Sequence, residues 1–232
     1  MSKASLVVLI SGSGSNLQAI IDSINNHRLD AEIKAVISNQ SNAKGLQRAS
    51  KENIPTYVID HKQFAHRESF DQAMIDIIDP LHPQLIVLAG FMRILSKSFI
   101  THYHHQLINI HPSLLPRYKG LNTHRQAIDN HDVKHGASVH YVSDELDSGP
   151  VIIQAEIPVL ETDNAETLAA RVLREEHQIY PLAIQMHIDG RLTFDNDQLI
   201  LDGKPLIKPL IWKNDQLISP QDNHPRDSRL IH

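Results

Sequence analysis

Asn109 lies in the short apolar run LINI at 107–110, and His111 follows directly after it. Asp147 comes thirty-six residues beyond His111, inside the polar cluster DELDSGP at 144–150. Side chains at i and i+2 of an extended chain share a face, so Asn109 and His111 are expected to point into one cleft. A second loop folding back on the first would bring a carboxamide, an imidazole and a carboxylate together. An imidazole titrates near pH 6.5 (about), a neighbouring carboxylate favours its cation, and that cation can donate a proton or stabilise an oxyanion. Asn109 offers an uncharged donor to the same oxygen. Neither motif sets a Ser, Cys or Lys nucleophile beside an evident base. The set therefore suits direct attack by a substrate amine or by water on a carbonyl, without a covalent enzyme intermediate.

The surrounding elements must hold these groups at a common edge. The first half alternates β-branched runs with helical patterns: LVVLI at 6–10, EIKAVIS at 32–38, TYVID at 56–60 and LIVLA at 85–89, with helical stretches at 16–24, 43–53, 67–79 and near 96–104. Near-continuous apolar strands separated by helices predict a parallel sheet covered on both faces. Ligands of such sheets bind beyond the carboxyl ends of the strands, where SGSGSN, GFMRIL and NIHPS all fall. After residue 136 the pattern changes. GASVHYV and PVIIQAEIPVL read as neighbouring antiparallel strands joined by DELDSG, a long helix is expected from about 164 to 187, and short β-like pieces follow at 191–194, 198–201 and 204–206. The predicted fold class is α/β: a Rossmann-like, doubly wound, mostly parallel sheet with antiparallel strands in the C-terminal half. The expected organisation is one domain over 1–210, with halves 1–105 and 106–210, and a partly disordered tail over 211–232.

A chain of 232 residues can bury a substantial core. No apolar run approaches the roughly 18 residues of a membrane span, and MSKASLVVLI reads as a first strand, so no membrane association is expected. With no cysteine, the chain has neither disulfides nor a thiol nucleophile, which fits a cytoplasmic protein. A net charge of −5 without a Lys/Arg block argues against nucleic acid as a partner.

The loop SGSGSNLQ has two readings. It presents Gly12, Gly14, Ser15 and backbone amides at a helix N-terminus, which suits a single phosphate monoester. It also fits a plain tight turn with Ser or Asn capping the helix. A dinucleotide fingerprint fails, because Leu17 stands where the third Gly belongs and the second strand ends in Ser38-Asn39 without an acidic residue. GFMRIL at 90–95 could line a flat aromatic ligand, although an ordinary strand-to-helix connection explains it as well. HYHH at 102–105 is dense in imidazole, but without an HExxH pair or a Cys partner it reads as surface or capping histidine, and no metal is expected. His124, His135 and His140 either line the Asn109–Asp147 region or are ordinary loop and strand residues.

NIHPSLLPRYKG together with DELDSGP closely resembles the formyltransferase family that uses 10-formyltetrahydrofolate. SGSGSN, GFMRIL, THRQAI, HGASVH and EEHQIYP extend the likeness over roughly residues 5–195, toward the members that formylate glycinamide ribonucleotide in purine biosynthesis. The resemblance implies a formyltransferase fold, formyl-folate as co-substrate, a phosphate-binding first half and a catalytic, folate-binding second half. It implies Asn109, His111 and Asp147 as the catalytic trio, and Gly14, Ser15, Asn16 and Glu176 as phosphoribosyl contacts. It assigns Arg67, Met92, Arg93, Ile94, Leu95 and Asn109 to the folate. The implied enzyme needs no metal and works as a monomer or weak homodimer. A formyl-folate hydrolase or a catalytically silent folate-binding protein are the alternatives; a tRNA-formylating relative would need a further basic domain. Ser13, Lys119, Asn122 and Ser148 depart from the family pattern, where Asn, Pro, His and Gly are common.

Overall fold

The computed structural model describes residues 3–219. Its main sheet has nine strands in the order β12-β11-β7-β6-β5-β4-β1-β2-β3. The parallel part comprises β1 (Ala4–Ile10), β2 (Ala31–Ser38), β3 (Thr56–Val58), β4 (Leu85–Leu88) and β5 (Leu107–His111). β6 (Lys134–Tyr141) and β7 (Val151–Pro158) then run antiparallel to their predecessors, as the change of pattern after residue 136 predicts.

Both faces of the parallel half are buried, which explains its continuous apolar runs. Along β1, Leu6, Val8 and Ile10 join one core while Val7 and Leu9 join the other. The first core is covered by α1 (Ser15–Asn25) and α6 (Ala165–Ile188), through Leu17, Ile20, Leu168, Val172 and Ile179. The second is covered by α3 (Arg67–Ile78) and α4 (Lys97–His102), through Phe70, Met74, Ile78, Phe99 and Ile100. Two smaller helices, α2 (Lys44–Lys51) and α5 (Thr123–Asp129), complete the layers. α6 begins at a capping box in which the Asn164 side chain accepts the Glu166 and Thr167 N–H groups, both at 2.9 Å. Deep in the same helix the Tyr180 hydroxyl donates to the carbonyls of Leu88 (2.9 Å) and Ile108 (3.1 Å), locking α6 beneath the two strands that lead to the site.

β1 has β2 on one side and β4 on the other, so the chain reverses direction of travel there. The switch leaves a crevice at the carboxyl ends, and the Ser11 N–H donates across it to the Gly90 carbonyl at 3.1 Å. Beyond α6, β8 (Leu192–Asp195), β9 (Gln198–Leu201) and β10 (Lys204–Pro205) form a separate small antiparallel sheet.

The expected tail from 211 begins too early. β11 (Leu210–Lys213) pairs parallel with β7, and β12 (Gln216–Ile218) closes a hairpin on it through Asn214 and Asp215, left-handed at φ 51 and 58. Trp212 Nε1 donates to Glu175 of α6 at 3.0 Å, fixing the added edge. The strands are only four and three residues long, too short to show a period against the polar turn between them. Residues 220–232 of the expected tail lie outside the described residues. Among the described residues no helix is long and apolar enough to cross a membrane.

Candidate active site

The register of β5 against β6 builds the centre. Asn109 stands directly opposite His140, and His111 opposite Ser138. His140 Nδ1 donates to the Tyr141 carbonyl at 2.9 Å, because a carbonyl oxygen can only accept. Burial holds the His140 pKa well below that of a free imidazole, so its Nε2 is a bare acceptor. The Asn109 amide donates to that nitrogen at 3.1 Å. This contact fixes which end of the carboxamide is the donor and leaves its second N–H for the cleft.

His111 is buried, with acceptors at both nitrogens. Nε2 donates to the Tyr118 carbonyl at 2.8 Å, and Nδ1 lies 3.4 Å from Asp147 Oδ2. Asp147 occupies a left-handed turn position (φ 47), which Asp tolerates better than most residues. Its Oδ2 also accepts the Gly120 N–H at 2.9 Å, and its Oδ1 is 3.8 Å from His140 Nε2. Next to this contact, Lys119 Nζ donates to Ser148 Oγ, so residues 119–120 strap the 144–148 loop in two places. The lateral tie joins two of the four positions that depart from the family pattern.

On one side of this centre lies a cavity of about 190 Å³ lined by Ser11–Asn16, Gln40, Ala89, Gly90 and Met92. Gly14 caps α1 at φ 68, without a side-chain cap. A Cβ there would meet the Gly45 Cα at 2.5 Å, so α1 and α2 approach as closely as they do only with glycine at both positions. Arg48 of α2 braces the loop, its Nε donating to the Ser13 carbonyl at 2.9 Å. Asn16 Nδ2 donates to Glu176 Oε2 at 2.7 Å. Burial raises the pKa of Glu176, a shift only partly opposed by this hydrogen bond, and Asn16 Oδ1 is buried with no protein partner.

On the other side a cavity of about 100 Å³ is lined by Leu88, Phe91, Arg93, Ile94, Leu95 and the residues around Asn109 and Asp147. Its wall is held from below, where Asp71 Oδ2 accepts the Ser96 N–H at 2.5 Å. The structure thus divides GFMRIL between two cavities. Met92, whose N–H donates to Ser11 Oγ at 2.7 Å, faces the glycine loop, while Arg93, Ile94 and Leu95 face the second cavity. Arg67 is the exposed first residue of α3, one turn before Asp71. Asn109, His111 and Asp147 are brought together, and Gly14, Ser15, Asn16 and Glu176 gather one cavity away. Arg48 is the addition; of the two readings left open for His140, the structure shows the one in which it lines the Asn109–Asp147 region, set opposite Asn109 by the strand register.

A doubly wound sheet bearing an amide, two imidazoles and a carboxylate at a cavity beyond its strand ends is the site of an α/β enzyme acting on a carbonyl. Residues 4–184 match the family profile described as formyl transferase, and the chain belongs to that family. It is 51% identical over 201 residues to phosphoribosylglycinamide formyltransferase of Escherichia coli, an alignment covering 87% of this chain and 95% of that protein. It is 44% identical to the human trifunctional purine biosynthetic protein adenosine-3, covering 81% of this chain and 19% of that one. Among solved structures, the phosphoribosylglycinamide formyltransferase of Coxiella burnetii superposes with a TM-score of 0.85 at 51% identity, covering 88% and 96% of the two chains. The glycinamide ribonucleotide transformylase 1 of Symbiobacterium toebii gives 0.83 at 38% identity, covering 86% and 94%.

Proposed function

We propose that this chain transfers the formyl group of 10-formyltetrahydrofolate to the amine of glycinamide ribonucleotide, as a step of purine biosynthesis. The observation that carries the reading is that Asn109, His140 and Asp147, with His111 against Asp147, line one cavity, while the adjoining segment 89–95 also lines the glycine-loop cavity. The uncapped N-terminus of α1 with Gly14, Ser15 and Asn16 receives the phosphate, where amides and helix dipole favour an anion. Glu176, tethered by Asn16, faces the ribose hydroxyls. Leu95, Ile94 and Arg93 hold the folate ring, with Met92 at the border between the substrates and Arg67 toward the folate's acidic end.

The substrate amine attacks the formyl carbon, forming a C–N bond and an oxyanion. The free N–H of Asn109 donates to that oxygen as its charge develops, with His111 and Asp147 beside it. His111 then delivers a proton from Nδ1, the nitrogen beside Asp147, to the departing folate nitrogen as the old C–N bond breaks, and Asp147 takes up the surplus proton of the amine. Protons balance, and the oxyanion collapses to the new formamide. Neither a covalent enzyme intermediate nor a metal enters these steps. All groups come from one chain, in keeping with a monomer or weak homodimer acting in the cytoplasm.

The test mixes purified chain, formyl-folate and glycinamide ribonucleotide and follows tetrahydrofolate release. Release that requires the amine is expected. Release at the same rate without amine would make the chain a hydrolase, and no release would make it a binding protein; either result overturns the reading.

A further inference from the structure

Two left-handed turns meet far from the chain order that separates them. One is the end of HYHH, where His105 has φ 62; the other is the β8–β9 hairpin, where Asn196 and Asp197 have φ 46 and 62. Asp197 Oδ1 lies 3.1 Å from His104 Nε2 and 3.2 Å from His105 Nε2. The three donor atoms fall within 4.8 Å of one another. The ring of His105 is stacked on Phe194 with centroids 3.5 Å apart and planes 2° from parallel, so its direction is held by packing.

We propose that His104, His105 and Asp197 form a binding site for one divalent transition-metal ion of the zinc class. Two imidazole nitrogens and one carboxylate oxygen are a zinc-type donor set. Tetrahedral bonds of about 2.0–2.1 Å set neighbouring ligand atoms about 3.3 Å apart, close to the two separations seen here. The arrangement also differs from ordinary histidine–carboxylate pairing, because two rings aim the same nitrogen at a single oxygen. The three residues stand on the rim of a cavity of about 740 Å³ that Ser143, Asp144 and Glu145 also line, so water can complete the coordination shell. An ion here would clip the small sheet to the turn before β5. The same cavity borders the loop that carries Asp147, and the clip would stiffen that wall.

The full chain, stripped with a chelator, is titrated with Co²⁺ and followed by its visible absorption, then displaced with Zn²⁺; unfolding midpoints are measured with and without Zn²⁺. One equivalent binding with a Kd on the order of micromolar, and a rise of the midpoint by several degrees, is expected. Asp197→Asn keeps a residue that accepts the left-handed turn, and His105→Ala removes one ring; each should weaken the ion about tenfold or more. His102→Ala should leave it unchanged, because His102 Nε2 faces Asp79 instead, at 2.9 Å. The proposal is overturned by the lack of a specific equivalent, by binding that survives Asp197→Asn and His105→Ala, or by loss in His102→Ala as great as in those two.

Discussion

Two clusters in this protein set imidazoles against an aspartate, and they use the same groups in opposite settings. At the β5–β6 edge the side chains of His111 and Asp147 are 6% and 10% exposed. There His111 Nε2, Asp147 Oδ2 and His140 Nε2 each have a fixed counterpart: the Tyr118 carbonyl, the Gly120 N–H and the Asn109 amide. At the hairpin turn the side chains of His104 and Asp197 are 56% and 79% exposed, and the carboxylate serves both rings. In water the attraction between such groups is screened and contributes little. Screened from water and locked in direction, the same pair becomes an acid–base device. Residue type therefore does not distinguish the two clusters; burial and the second set of partners do.

The contrast breaks most readily at His111. His111→Ala is expected to lower kcat by about 10³-fold with the fold intact, measured as amine-dependent tetrahydrofolate release alongside circular dichroism. A variant within tenfold of the parent would remove His111 from the chemistry. Asp147→Asn keeps shape but loses charge, and Asn109→Ala removes the oxyanion donor; each should cost about 10²-fold in kcat with a smaller change in KM. A loss confined to KM would mean that these groups bind rather than catalyse.

Acid sharpens the difference through stability. Burial pushes the pKa values of His124, His135, His140, His177 and His187 down, that of His135 to about 4. The unfolded chain takes up protons from about pH 6.5 downward, and the native chain resists until far lower, so stability is lost as pH falls through that window. Asp71 and Glu176, pushed up by burial, act in the opposite sense but are fewer. The urea midpoint should fall between pH 7.5 and 5, by less in His135→Gln; an unchanged or rising midpoint would contradict the assignment. The smallest effect belongs to the exposed cluster. In metal-free buffer Asp197→Asn should leave the urea midpoint close to that of the parent and turnover within twofold. A large loss of turnover there would join the two clusters functionally.

The central pair was legible because strand geometry alone puts Asn109 and His111 on one face; the polar cluster at 144–150 offered Asp147 as the carboxylate, and the family likeness supplied the substrates. The alternating pattern likewise disclosed the doubly wound sheet and its antiparallel continuation. What stayed hidden depends on pairing between distant segments. His140 meets Asn109 only through the β5–β6 register, and Arg48 reaches Ser13 only because two glycines let α1 and α2 touch. His104 and His105 look like any solvated imidazoles until the hairpin delivers Asp197. β11 and β12 were missed for want of length, their short runs being outweighed by the polar turn and the pattern-free segment beyond it.

The Lys119–Ser148 contact ties together two loops separated by more than twenty residues. Because the two side chains touch beside Asp147, substitutions at these positions are not independent variables. Lys119→Pro alone leaves Ser148 its bond to the Leu146 carbonyl at 3.0 Å, and Ser148→Gly alone releases the exposed Lys119 ammonium to water, so each single change loses only the tie between the two loops. Epistasis is therefore expected between them: the double substitution should cost less than the sum of the two single ones.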